Sequence, residues 1–413
     1  MRKNWFSTFI LLACVCAFTF GEASATAAGW TQKQFLITFW LPPPATDENL
    51  ARVAAEGFNL TWTPQEGLDV AARHGLRAML ISNLLNPATL DDKAKRAQLD
   101  ALIDSVKNHP ALEAYYLKDE PGAGEFPALG KLVAYLRERD PAHVAYINLY
   151  PTYANERGLG VTVDAISDDK TVLLYREYLR QFIETVHPDL LSYDHYHFMK
   201  KGDNNEYFLN LGMIRKAALD ANRPFLNIIQ ADMFDKSWRL PNATEMRWLV
   251  FTTMAYGGRG ISYFTYWGPK SYNGLYQDGK PAPLLKDVVA LNMEIAKFGP
   301  ALMELDSVGV YHTTPLPYGA EAIPVKAPVQ IKGDGQFVLG LFGKDSLPTA
   351  FMIVNRNYKQ ETEATVTVAI PGSELQELDR KTGKWVLSET LSGKRTVKIK
   401  LAPGDGRLFR VSK

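Results

Sequence analysis

Cysteine is what this sequence most conspicuously lacks. Cys14 and Cys16 are the only two in 413 residues, and both lie in one apolar N-terminal run. If that run is removed, disulfides, thiol nucleophiles and cysteine metal sites go with it, and stability must come from core burial. Net charge is also missing. Removing residues 1–25 takes away Arg2, Lys3 and Glu22 and leaves acids and bases equal in number. A neutral chain has no basic field for nucleic acid, and no second long apolar run suggests a membrane span. Histidine is scarce too, at seven residues. The first strand is followed by Leu41-Pro-Pro-Pro rather than a glycine-rich phosphate turn, which argues against a doubly wound nucleotide-binding sheet.

The N-terminus reads as an export signal over residues 1–25. Met1-Arg-Lys-Asn is basic, Trp5 to Phe20 is apolar but short for a span, and Ala23-Ser24-Ala25 supplies small residues for cleavage. The expected location is periplasmic or secreted. Leu11-Leu12-Ala13-Cys14 also resembles a lipobox, with Cys14 as a lipid anchor, but the apolar run continuing to Phe20 favours ordinary cleavage. About 385 residues then remain, enough for one large domain and a small one.

What is present is alternation. Short apolar strands are expected at 34–40, 58–63, 77–83, 112–119, 144–150, 190–196, 224–230 and 261–267. Helices lie between them at 47–55, 93–107, 126–139, 171–186, 213–221 and 244–256. Eight strand–helix units over about 265 residues match an α/β (β/α)₈ barrel, or TIM barrel. The expected division is a barrel over 30–312, a proline-containing linker over 313–330 and an antiparallel β-sandwich over 331–413. The sandwich strands are expected at 336–342, 349–355, 363–370, 384–387, 396–401 and 407–411.

The segment LEAYYLKDEPG at 112–122 runs a strand into two adjacent acids and then into Pro-Gly. In a parallel barrel this is the end of the strand where catalytic groups sit. Alternation along strands assigns faces. It points Tyr116, Lys118 and Glu120 inward, with Asp119 outward. It also turns Thr38, Trp40, Asn148, Tyr150, Asp194 and Tyr196 toward the axis, and gives Gln230 and Asp232 a common parity. The mouth is thus expected to gather Glu120, Asp194 and Asp232 among Trp40, Trp62, Tyr150, Tyr153, Tyr196, Tyr266 and Trp267. Two carboxyl groups in an aromatic cleft suit glycosidic hydrolysis. One is held protonated to donate to the leaving oxygen, and the other is ionised to attack the sugar or activate water. Aromatic rings offer faces for the apolar side of a sugar. Asn148, Gln230, Lys118, His195 and His197 are the expected polar substrate contacts.

Plainer readings compete with each of these. Glu120 before Pro121 is also a common helix-start residue, although Gly122 and Gly124 make an immediate helix poor. Asp194 between two tyrosines also suits a structural acceptor. His195 and His197 have the spacing of metal ligands on one strand face, but the remaining histidines sit at the far end of the strands, in a helix or near the tail. No metal and no other cofactor is expected.

With these pieces in view, the chain resembles a secreted bacterial glycoside hydrolase of the barrel type, akin to the β-galactosidase and agarase clan. The resemblance rests on YYLKDEPG, SYDHYHF, Glu245 and Arg247 preceding MAYGGRGISYFTYWG, and DGKPAPLLKDVVALNMEIAKFGP. It implies a carbohydrate substrate and an acid/base glutamate ending strand 4, at Glu120. It also implies a glutamate ending strand 7, where this chain has Gln230-Ala-Asp232 instead. That departure leaves Asp194 or Asp232 as the partner carboxylate. It also keeps open a barrel that binds glycan without cleaving it, and, less favoured, a metal-dependent hydrolase.

Overall fold

The computed structural model describes residues 29–163, 170–233, 236–268, 273–391 and 395–412. The expected export signal, Cys14 and Cys16 lie outside the described residues. Eight parallel strands form the barrel: β1 (Leu36–Phe39), β2 (Leu60–Thr63), β3 (Arg77–Leu80), β4 (Leu112–Asp119), β5 (Val144–Leu149), β6 (Leu191–His195), β7 (Phe225–Gln230) and β8 (Gly260–Phe264). Their ladder runs β1-β8-β7-β6-β5-β4-β3-β2. Between β1 and β2 no ladder forms among the described residues. There Asn59 bridges the gap: its backbone N–H donates to the Ile37 carbonyl at 3.0 Å. Its side chain accepts from Ile37 N at 2.8 Å and donates to the Phe35 carbonyl at 2.8 Å.

Alternation places the two faces as the sequence suggests. Leu36, Trp40, Leu60, Trp62, Met79, Ala114, Val144, Tyr146, Leu226 and Ile228 pack together inside the barrel. Their neighbours Ile37, Phe39, Leu80, Tyr115, Ile147, Tyr193 and Ile229 face the helices. Several helices start at recognisable caps, such as Thr46 before Asp47–Ala55 and Asp92 before Lys93–Val106. Helix Tyr207–Asp220 begins six residues before the expected 213. Its first turns, Tyr207 to Leu211, are buried all round, so no polar face gives them a helical period.

A β-sandwich follows the barrel. One sheet contains Asp306–His312, Phe337–Lys344, Leu347–Asn355, Gly406–Ser412, Glu374–Leu378 and Trp385–Thr390, and the other contains Val329–Lys332, Thr362–Val368 and Thr396–Leu401. Asp306–His312, expected within the barrel segment, pairs antiparallel with Phe337–Lys344 and so belongs to the sandwich sheet. Val329–Lys332 and Glu374–Leu378 are strands that the sequence pattern does not announce. The first hides beside prolines, and the second has too few apolar residues to stand out.

The larger sheet is apolar on both faces. Leu339, Leu341, Phe351, Ile353 and Phe409 pack within the sandwich. Val338, Phe342, Ala350, Met352, Val354 and Leu408 join the core of the barrel helices. The contacting helix is Ala243–Ala255, and Gly340 allows the approach: a Cβ there would lie 2.3 Å from the Ala255 carbonyl oxygen. Glu245 and Arg247 on this helix do not pair with each other. Glu245 caps its own helix and binds Arg239 at 2.8 Å. Arg247 joins Glu294, Asp405 and Arg380 in a four-membered ion cluster between barrel and sandwich, with Arg247–Glu294 at 2.8 Å and Arg380–Asp405 at 3.0 Å.

A fragment ending at Gln330 loses the sheet that covers this helix and leaves Arg247 and Glu294 without Asp405 and Arg380. It is expected to aggregate or unfold at lower temperature than the full chain, as light scattering and thermal melts would show. A stable, soluble fragment would mean that the covering sheet is dispensable.

Candidate active site

At the C-terminal mouth of the barrel, the fourth strand breaks its own alternation. Tyr116 pairs with Tyr146, but Lys118 pairs with Ile147 and Asp119 with Asn148, so Leu117 is an extra, bulged residue. Ile147 faces the helices. The bulge therefore turns Lys118 outward and Asp119 inward, the reverse of what strict parity predicts. Lys118 binds Glu125 at 2.8 Å on the rim and is not an inward substrate contact. Asp119 accepts from Asn148 Nδ2 at 3.0 Å. The next residue, Glu120, has a φ of 44°, a left-handed conformation that a non-glycine residue adopts at some cost. Its N–H is held by the Asn148 carbonyl at 2.9 Å. Bulge and left-handed turn together aim Glu120 at β6.

There it meets Asp194. The two carboxyl groups act on each other electrostatically, and Asn148 Nδ2 donates to Asp194 Oδ1 at 2.8 Å. Asp194 is only 2% exposed. Burial first, and then the negative charge of Glu120, hold its carboxyl well above the usual carboxylate range. Burial, followed by the charge of Asp119, pushes Glu120 up to about 7, while its hydrogen bond from Asp194 pulls the other way. Asp119 is also raised, by its surroundings first, against the opposing effects of Asn148 and Lys118. Burial thus works against ionisation of both members of the pair.

Asp232, the reserve carboxylate, is fully buried and occupied. Thr265 Oγ1 donates to it at 2.5 Å and Asn273 N at 2.9 Å. It ties the segment after β8 to the segment after β7. Gln230 is similarly engaged. Its amide accepts from Phe198 N at 2.8 Å and donates to the Phe198 and Arg239 carbonyls at 3.1 and 2.9 Å. This brace between loops replaces the expected sugar contact. His195 alternates with Asp194 and so points to the helix side, where Nδ1 bonds Asn210 at 3.0 Å and burial lowers its pKa to about 3. His197 stacks on Trp248, with centroids 4.7 Å apart, and burial lowers it to about 4. Neither histidine reaches the mouth.

Among the aromatics, Trp40 and Trp62 form a floor. They are 8% and 5% exposed, lie 4.8 Å apart, and Trp62 packs on Tyr116 at 5.0 Å. Tyr196 lies against Trp238 at 4.3 Å and Phe264 at 5.1 Å. Tyr150 is half-buried and feels the charges of Glu120 and Asp119. Tyr266 instead donates to the buried Glu56 at 2.7 Å behind the strand, and Trp267 leans on Tyr276 in a small rim sheet, at 5.3 Å. β8 ends at Phe264, three residues short of the expected 267, so Tyr266 and Trp267 lie beyond the strand end at which the sequence places them. Asp119, Phe264 and Trp238 are the mouth residues that sequence reasoning misplaced or passed over. Only Phe264 had a usable signal, its shared parity with Ser262.

No family model matches the chain, and no curated protein matches it. Among solved structures, a Bacteroides thetaiotaomicron protein provisionally classed as an α-L-fucosidase is similar at 12% identity and TM-score 0.44, over 66% of this chain and 99% of that one. An endo-α-mannosidase of the same organism gives 12% and 0.41, over 63% and 82%. A Sorangium cellulosum endo-β-1,3-glucanase gives 12% and 0.38, over 62% and 98%.

The raised carboxyl has a thermodynamic signature. Glu120 rises from an ordinary 4.5 to about 7, so between those values the folded chain binds more protons than the unfolded one, and stability falls as pH rises through about 7. Glu120→Gln is therefore expected to melt near the wild type at pH 4.5 and roughly 1–3 °C higher at pH 8. A pH-independent difference in Tm would contradict the raised value.

Proposed function

We propose that the chain is a glycoside hydrolase in which Glu120 is the general acid/base. The observation that carries this reading is the Glu120–Asp194 carboxyl pair at the barrel mouth, with Glu120 poised at about 7 in an aromatic-floored opening. A carboxyl group of that pKa is protonated often enough near neutrality to donate to a leaving glycosidic oxygen, and then to accept a proton from attacking water. The net reaction breaks the bond between anomeric carbon and bridging oxygen. One sugar takes the proton and the other takes hydroxide from water.

Asp194 takes a different part from the one its parity suggested. Opposed carboxyl groups across a sugar stand about 5–5.5 Å apart in retaining enzymes and about 6.5–9.5 Å in inverting ones. Asp194 acts on Glu120 directly and is fully enclosed, which suits a partner to Glu120 better than a group facing it across a sugar. It serves as the proton-holding neighbour. Of the three clustered acids, only Asp119 has an exposed side chain. Although burial of its carboxyl raises its pKa, Asp119 bears a charge that acts on Glu120, and it is the group assigned to face positive charge developing at the anomeric carbon. A carbohydrate substrate and export through the N-terminal segment complete the proposal.

In a glycan panel scored for released reducing ends, Glu120→Gln is expected to lose about 10²–10⁴-fold in turnover while keeping its fold. Activity near that of the wild type would remove Glu120 from its role. Binding of a glycan with no cleavage by the wild type would favour the non-catalytic reading, which rests on Gln230 standing where the resemblance implies a glutamate at the end of strand 7.

The pH profile gives a second test. Asp119 raises Glu120 through its charge, so Asp119→Asn is expected to move the alkaline limb of kcat/KM from near 7 to lower pH. A shift to higher pH, or none, would contradict the assigned neighbour.

A further inference from the structure

Below the carboxyl pair, the barrel interior contains a run of polar side chains that the catalytic reading does not use. Tyr146 Oη lies 2.7 Å from Ser192 Oγ. Ser192 Oγ lies 3.1 Å from Asn148 Oδ1. Asn148 Nδ2 then reaches Asp119 Oδ1 at 3.0 Å and Asp194 Oδ1 at 2.8 Å. Tyr146 and Asn148 are 2% exposed and Ser192 is fully buried. Asn148, expected to touch substrate, has both amide hydrogens committed inside the protein.

The chemistry of these groups gives the run a direction. An amide oxygen only accepts, so Ser192 must donate its hydroxyl hydrogen to Asn148 Oδ1. Ser192 Oγ is then left as an acceptor, and Tyr146 donates to it. With its oxygen held toward Ser192, Asn148 must present its NH₂ group to the acids. A carboxyl oxygen that accepts from an amide N–H is a poor place for a proton. That disqualifies Asp194 Oδ1 and leaves Oδ2.

We propose that Tyr146, Ser192 and Asn148 are positioning residues forming a one-way hydrogen-bond chain that presents the Asn148 amide hydrogens to Asp119 and Asp194 and so keeps the proton of Asp194 off Oδ1, free to be given to Glu120. This deepens the hydrolase reading and rests on it for its catalytic meaning, but the orientation of the Asn148 amide toward the acids stands on the hydrogen-bond geometry. The chain keeps Glu120 as the member of the pair that exchanges its proton with the mouth, and Asp194 as the member that does not. Other groups also act on Glu120. Asp119 and Asp194 bear on it directly. Tyr150, Tyr153 and Tyr196 sense its charge from the mouth, and Tyr175 and Tyr178 from the helix Lys170–Val186. Only the chain through Ser192 can reverse the amide that faces the pair.

Ser192→Ala is the direct test. Without that hydroxyl nothing holds the Asn148 oxygen away from the acids. The amide can turn its oxygen to Asp194, draw the proton to Oδ1 and deprive Glu120 of its donor. The Glu120 titration midpoint, followed by carbon-13 carboxyl NMR on the full chain and identified by its loss in Glu120→Gln, is expected to rise by roughly half a unit or more. Ser192→Thr keeps the hydroxyl and is expected to restore the wild-type midpoint. Tyr146→Phe leaves Ser192 its acceptor and is expected to shift it less than Ser192→Ala does. The titration needs no substrate, so it can succeed even if no glycan is cleaved. An unchanged midpoint in folded Ser192→Ala would overturn the proposal, as would equal shifts in Ser192→Ala and Ser192→Thr.

Discussion

A carboxyl group taken wholly out of water must keep a proton or be surrounded by donors, and Asp194 does some of each. Its Oδ1 receives an amide hydrogen from Asn148, and burial beside the charge of Glu120 favours its protonated form. This one burial sets the conditions for everything around it. It requires Asn148 to be held in one orientation, which requires Ser192 and Tyr146 beneath it. It requires Glu120 to approach closely, which the bulge at Leu117 and the left-handed turn at Glu120 accomplish. The cost is concentrated at the mouth, where buried acids and an unfavourable backbone conformation are gathered, as in sites shaped for chemistry rather than stability.

That cost is offset elsewhere. The barrel helix Ala243–Ala255 has no polar face because the sandwich covers it, and Gly340 lets the sheet come within contact of its backbone. Around that apolar seam the Arg247–Glu294–Asp405–Arg380 cluster pairs every buried charge with opposite neighbours. Such clusters are modest in net energy but costly to break, so they favour one docking arrangement over sliding alternatives. The sandwich thus acts as part of the barrel's outer layer.

Much of the scaffold was legible from the residues. All eight barrel strands fall on their expected segments, because each is a short apolar run between polar helices and a parallel barrel repeats one period throughout. Inward parity held wherever a strand was regular, as for Trp40, Trp62, Asn148 and Asp194. It failed where backbone geometry departs from alternation. One inserted residue at Leu117 exchanged the faces of Lys118 and Asp119, and an early end to β8 moved Tyr266 behind the wall. A bulge leaves no mark in a single sequence, since any residue can occupy it. Gln230, Asp232, His195 and His197 illustrate a different limit. Parity and residue type suggest that a polar group faces a cleft, but only the folded chain shows that Gln230 and Asp232 already spend their hydrogen bonds between loops and that the two histidines are buried among side chains.

The seam between β1 and β2 lacks a strand ladder and is closed by Asn59 at one end, while Trp40 and Trp62 pack together across it. Hydrogen bonds along a strand have a fixed register, whereas two indole rings in contact slide at little energetic expense. Among the described residues, the floor of the opening therefore lies on the one joint of the barrel wall that no ladder spans. Parting the wall there would break no ladder, whereas parting β4 from β5 or β5 from β6 would break the pairing that sets Asp119, Asn148 and Ser192 in register.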